Sequence, residues 1–253
     1  MRYTIKACLV ICLLCFLQIT NAQDTPHKKQ DDSAWIKLQQ YYDHMLHNDW
    51  PNLSRYSDAN KALGLPADGE NRIVFMGNSI TEEWFITDSA FFKENKYIDR
   101  GIGGQTTPQM LVRFRADVIN LQPKVVVILA GTNDIAGNTG PSTPDMIVNN
   151  IASMADLANA HQIHVILCSV LPAYNYPWKP GLQPAEKIVA LNNRIKQYAA
   201  NNNCMYVDFW TPLADERKGM KAGDSKDGVH PTMAGYKIME PIVQQAINKA
   251  LSL

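Results

Sequence analysis

The sequence predicts an α/β protein of three layers, with a five-stranded parallel sheet held between helices. Two observations carry that prediction. Five short runs are of strand type, most of them apolar on both faces, which suits strands covered above and below. Stretches with helical spacing of apolar residues lie between those runs, the alternation from which parallel sheets are built.

From Ser33 to Trp50, the residues Trp35, Leu38, Tyr42, Met45 and Leu46 recur at helical spacing. Pro51 ends that element, and a short second helix is expected around Leu53 to Leu63. Arg72–Gly77 (RIVFMG) reads as the first strand. Tyr97–Ile102, Lys124–Gly131 (KVVVILAG), His164–Val170 and Met205–Trp210 read as the next four. Helices are expected at about 106–121, 143–160, 184–201 and 232–250. Right-handed crossovers between such strands give a flavodoxin-like α/β/α sandwich. In sheets of this kind the functional site forms outside the carboxyl ends of the strands, so the informative loops follow Gly77, Ile102, Gly131, Val170 and Trp210.

The chain of 253 residues has 24 basic and 24 acidic side chains, and that balance argues against a nucleic-acid partner. With 46% hydrophobic and 19% charged residues it is neither a disordered chain nor a coiled coil. Arg2 and Lys6 precede Ala7–Ile19, an apolar stretch broken only by Gln18, and Thr20 and Ala22 are small residues at the −3 and −1 positions of a cut before Gln23. Residues 1–22 therefore read as a secretory signal peptide, too short in its apolar part to span a membrane. A lipidation box is disfavoured by the bulky Leu14 and Ile11 before Cys15 and Cys12. Export is expected, to the periplasm or the medium, with no stable membrane insertion. Residues 23–66 would form a helical extension and 67–253 the main domain. Cys168 and Cys204 then remain, too few for a disulfide framework, and they are expected to be unpaired. If their strands are neighbours, Cys204 should lie beside His164.

Four loops carry chemistry. Gly77-Asn78-Ser79-Ile80-Thr81 sets a serine between a strand and a helix, which suits a nucleophile, a phosphate cradle or a helix cap. Gly101-Ile102-Gly103-Gly104-Gln105 can present backbone N–H groups to an anion, or serve as a flexible turn. Gly131-Thr132-Asn133-Asp134 offers a side-chain amide, though Asn-Asp is also ordinary turn chemistry. Asp227-Gly228-Val229-His230 can bring a carboxylate to the imidazole Nδ1–H, leaving Nε2 to face a hydroxyl. Each signal is weak alone. Together they supply a nucleophile, a base with its orienter, and three oxyanion donors, namely the Ser79 and Gly104 N–H groups and the Asn133 amide, on one edge of the sheet.

These four blocks, in this order, resemble those of the SGNH or GDSL hydrolases, from about Arg72 to the C-terminus. The platelet-activating-factor-acetylhydrolase-like branch is the nearest in look, through R-G-I-G-G-Q-T-T at 100–107. The resemblance implies an esterase fold with Ser79 as nucleophile, His230 as base and Asp227 as its orienter. Gly104 and Asn133 would complete the oxyanion hole, and no cofactor or metal would be needed. Asn78 departs from the pattern, standing where many members have Asp, so the charge of that position is missing here.

Other residues admit two readings. Trp84 lines the site or packs into the core. Tyr174, Tyr176 and Trp178, in the loop after the fourth strand, stack on sugar rings or pack inward. The pairs His44/His47 and His161/His164 have metal-ligand spacing but no cysteine or carboxylate cluster beside them. The expected function is an exported serine ester hydrolase that removes short acyl groups, acetyl above all, from a small-molecule or carbohydrate ester. The alternatives are a lysophospholipase or thioesterase of the same fold, or a non-catalytic carbohydrate-binding protein on that scaffold. The intact set Ser79, Asn133, Asp227 and His230 disfavours the last.

Overall fold

The computed structural model describes residues 32–253; the segment read as a signal peptide lies outside the described residues. By its contacts the chain divides into Met1–Asp43 and His44–Leu253. The described part of the first unit lies in helix α1 (Asp32–Asn48). The second unit continues with α2 (Ser57–Leu63), β1 (Ile73–Gly77), α3 (Ser79–Thr87), α4 (Ser89–Asn95), β2 (Tyr97–Gly101) and α5 (Thr107–Asp117). A 3₁₀ turn at Ile119–Leu121 precedes β3 (Val125–Leu129), α6 (Thr132–Ala136), α7 (Pro144–Ala160) and β4 (His164–Cys168). Then come α8 (Ala185–Asn201), β5 (Cys204–Val207), α9 (Trp210–Leu213) and α10 (Met233–Leu251).

Among the described residues five strands form one parallel sheet, as the sequence predicts, and their order is β2-β1-β3-β4-β5. Alternate residues face opposite layers. Val74, Met76, Val126, Ile128, Val165 and Leu167 pack with Met110 and Phe114 of α5, Ile151 of α7 and Leu191 of α8. Phe75, Val125, Val127 and Ile166 face Trp84 of α3, Phe92 of α4, and Tyr236 and Val243 of α10. Each fully buried large side chain of this kind contributes about 1.5–3 kcal/mol.

The sequence missed α4, α6 and α9, since a helix of four to seven residues has too few turns to show a period. The fifth strand also stops at Val207, and Trp210, read as its end, opens α9. Cys168 and Cys204 are both free thiols, as expected. Cys204 pairs with Val165 rather than His164, and Cys168 with Val207, so the register is one residue from the expected one. The remaining three-residue offset, about 10 Å, is still beyond the reach of a disulfide.

The carboxyl ends of β1 and β2 are tied by Arg113 of α5, whose side chain is fully buried. Its guanidinium donates to the Gly77 and Arg100 carbonyls (3.0 and 2.8 Å), to Gln105 Oε1 and to the Asp117 carboxylate (2.9 Å). Beside it the Tyr56 hydroxyl donates to the Gly101 carbonyl and to Asp99, whose other oxygen accepts the Gly101 N–H. Burial pushes the Asp99 carboxyl up to about 7, against the opposing pull of that N–H, the Tyr56 hydroxyl and Arg100.

A carboxyl with a raised folded value contributes its stability in full below the ordinary 3.8 and loses it as pH rises through about 7. Asn imitates the protonated form, so Asp99→Asn should gain in Tm over the wild type as pH is raised from 5 to 8. Thermal melts at the two pH values check this. A Tm difference that stays flat across that range would remove Asp99 as the source.

Candidate active site

The site is assembled at the carboxyl edge of the sheet, where the strand order reverses between β1 and β3. Ser79 is the first residue of α3, separated from the end of β1 only by Asn78. Asn78 caps that helix, its Oδ1 accepting the Ile80 N–H at 3.0 Å. Thus the neutral side chain at this position still does the capping work that a carboxylate would do.

The hydroxyl of Ser79 lies 2.9 Å from Nε2 of His230. The other ring nitrogen of His230, Nδ1, is 2.8 Å from Oδ2 of Asp227. Oδ1 of Asp227 accepts the backbone N–H groups of Val229 (2.9 Å) and His230 (2.8 Å). Burial acts to raise the Asp227 pKa, but these N–H groups and the imidazole outweigh it and hold the carboxyl below its ordinary value. The loop is closed by Ser225, whose hydroxyl donates to the His230 carbonyl and accepts the Gly228 N–H. Gly228 has φ of +87°, a conformation that a side chain would strain. An imidazole so held can take a proton from the Ser79 hydroxyl.

Asn133 stands in the first turn of α6, with 3% of its surface exposed. Its amide donates to the Gln105 carbonyl at 2.9 Å, which fixes the side chain and leaves the second amide hydrogen available. Gly104 has φ of +76°, and its N–H has no acceptor among the described residues. The preceding N–H, from Gly103, donates to Glu82 Oε2 at 2.8 Å. Gly101 has no room for a side chain: a Cβ there would lie 2.2 Å from the Glu82 nitrogen. That close passage of α3 over the end of β2 brings the serine and glycine loops together.

The aromatic candidates separate. Trp84 is a correction to its reading as a site residue, with 1% exposure in the layer beneath α3 and α10. Its ring stacks on Phe91 and Tyr236 at 5.4 and 5.3 Å, because Phe75, Phe92 and Phe209 complete an apolar box around it. Tyr176 is also corrected as a stacking surface, being fully buried beneath Trp178 at 5.0 Å. Tyr174 is exposed, but Arg217 lies over its ring at 5.1 Å. Trp178 remains. It is 41% exposed, with its ring 6.2 Å from that of His230.

Sequence reasoning missed Asn138 and Glu83. Asn138 accepts the Trp178 indole N–H at 3.3 Å and donates to the Gly104 carbonyl at 3.2 Å, so it links the aromatic wall to the glycine loop. Glu83 Oε1 is 3.9 Å from His230 Nε2. Neither had a motif, though Glu83 follows Ser79 by one helical turn, a spacing the sequence does show. His44 makes contacts with Asn48 on α1, while His161 and His164 lie at the amino end of β4, away from this edge. Among the described residues no group of three or more His, Cys, Asp or Glu is placed to hold a metal, and no helix is long and apolar enough to cross a membrane.

A hydroxyl, an imidazole and a carboxylate in line at the edge of a parallel α/β sandwich are arranged for acyl transfer, and the relatives of this chain place it in the class of carboxylic ester hydrolases. Within that class the chain belongs to the GDSL-like lipase/acylhydrolase family, whose family model matches residues 75–238. It is 26% identical over 181 residues to platelet-activating factor acetylhydrolase IB subunit alpha2 of Rattus norvegicus, covering 69% of this chain and 76% of that one. A GDSL-like lipase of Bacteroides thetaiotaomicron is 52% identical with a TM-score of 0.78, covering 80% of this chain and 100% of that one. A candidate acylhydrolase of Bacteroides fragilis is also 52% identical, with a TM-score of 0.79 and coverage of 81% and 100%.

The placement of Trp84 gives a prediction. Trp84→Ala should lower unfolding stability by about 3–5 kcal/mol, the scale of a large aromatic lost from a core. Urea titration measures it. A variant that kept full stability but lost affinity for substrate would return Trp84 to the site.

Proposed function

We propose that this chain is an exported serine esterase in which Ser79 is the nucleophile, His230 the general base and Asp227 its orienter. The observation that carries the reading is the unbroken hydrogen-bonded line from Ser79 Oγ through His230 to Asp227. Oγ attacks the acyl carbon while its proton passes to His230 Nε2. The same nitrogen returns that proton to the departing alcohol; water, deprotonated by His230, then attacks the acyl carbon, and Ser79 Oγ leaves with that proton as the acid is released. The free N–H of Gly104, the helix-start N–H of Ser79 and the spare amide hydrogen of Asn133 are the proposed donors to the oxyanion.

The substrate is proposed to be an ester of a short acyl group, acetyl above all, carried on a carbohydrate. Trp178 supports this, offering an exposed ring beside His230 that is backed by Tyr176 and braced by Asn138. The rat relative is an acetylhydrolase by name, which also favours a short acyl group. Residues 1–22, with their basic start, apolar run and small residues at the cut, support export. In this reading residues 23–66 extend the hydrolase domain at 67–253.

Ser79→Ala and His230→Ala should each abolish nearly all turnover of 4-nitrophenyl acetate while circular dichroism stays native, since nucleophile and base act as a unit. Asn133→Ala should lower kcat by roughly 10²–10³, the scale of one oxyanion donor. Near-normal turnover in folded Ser79→Ala would sink the mechanism.

A second measurement concerns the acyl group. Across nitrophenyl esters from acetate to palmitate, kcat/KM should fall beyond butyrate, and Trp178→Ala should raise KM for an acetylated oligosaccharide. Activity that climbs with chain length would point to a lipid substrate. An unchanged KM in the variant would take Trp178 out of the sugar site.

A further inference from the structure

Glu83 lies one helical turn beyond Ser79 on α3, so both side chains project from the same face of that helix. Its two oxygens have different surroundings. Oε2 accepts the Lys226 ammonium at 3.0 Å, and Lys226 directly precedes Asp227 in the loop that carries His230. Oε1 faces His230 Nε2 at 3.9 Å and has no hydrogen-bond donor among the described residues. That distance is too long for a hydrogen bond, so Glu83 does not compete with Ser79 for the imidazole. The adjacent Glu82 is differently employed, accepting the Gly103 N–H and the Arg55 guanidinium.

We propose that Glu83 is a specificity-determining residue, its carboxylate receiving a free hydroxyl of the alcohol half of the ester and turning away alcohols that carry an anion. This rests on the roles given above to Ser79 and His230. The oxygen of the departing alcohol must come within about 3 Å of Nε2 to collect its proton. Glu83 Oε1 stands beside that same nitrogen, so the substituents next to the ester oxygen pass within its reach. A neighbouring hydroxyl there forms a charge-assisted hydrogen bond to a carboxylate already held in place by Lys226. A phosphate or carboxylate in the same place meets a like charge. The ligand class this selects is the acyl ester of a neutral polyol with a free hydroxyl beside the ester. Trp178 supplies an apolar face near the same histidine for the body of such a ring.

The test compares three acetyl esters on the purified protein: 4-nitrophenyl acetate, a monoacetylated methyl xyloside with a free neighbouring hydroxyl, and acetylated glycerol phosphate. Glu83→Gln should lower kcat/KM for the xyloside relative to 4-nitrophenyl acetate by roughly 10-fold, mostly through KM, the scale of one hydrogen bond to a charged group. Glu83→Lys should raise kcat/KM for the glycerol phosphate ester relative to the xyloside, and 0.5 M salt should shrink that gain. Unchanged ratios in both variants would overturn the proposal. So would a uniform loss on all three esters, which marks a structural or chemical role. Failure of the underlying mechanism shows separately, as 4-nitrophenyl acetate turnover that survives Ser79→Ala with Glu83 intact.

Discussion

The buried guanidinium of Arg113 is the interaction on which the rest of the edge depends. A charge removed from water costs several kcal/mol unless it is fully paired, so its partners are constrained as tightly as it is. Those partners are the last carbonyl of β1, the carbonyl before the last residue of β2, the Gln105 side chain and Asp117. The serine loop leaves β1 and the glycine loop leaves β2, so one side chain sets the spacing between them. Gly101 lets α3 pass close enough for Glu82 to reach the Gly103 N–H. The proposed nucleophile and oxyanion donors thus hang from one buried charge.

The histidine is held differently, by local geometry. Asp227 and His230 are three residues apart on a loop whose turn at Gly228 closes a ring of hydrogen bonds. The loop delivers the imidazole in one orientation, and long-range packing has only to bring it over Ser79. The Tyr236 hydroxyl, donating to the Ile80 carbonyl at 2.8 Å, joins α10 to α3 and helps to do so. The same line leaves Nε2 between Ser79 and Glu83, one a hydrogen-bond partner and the other a carboxylate just out of range.

Much of this was legible in the chain. Two-sided apolar strands and periodic helices announced the layers, since a strand buried on both faces must be apolar at every position, as Val125–Leu129 is. The polar blocks at 77–81, 101–107, 131–134 and 227–230 were legible for a related reason. Ser79 and Asn133 lie just past the ends of β1 and β3, where polar residues follow apolar strands, while His230 was legible through its three-residue spacing from Asp227.

Sequence by itself therefore determined the strands, the edge on which the loops gather and the Asp227–His230 pairing, all of which rest on local period or short spacing. Tertiary structure decided what depends on which surfaces meet. Trp84 and Trp178 are both tryptophans near polar motifs, yet one is closed into an aromatic box and the other stands open beside His230. Tyr176 and Trp178 are two residues apart, but stacking puts one beneath the other. Asn138 and Glu83 carry no motif, and their place at the site comes from the packing of α3 and the glycine loop. Burial of a given side chain is a property of what covers it, and the covering elements lie far away along the chain.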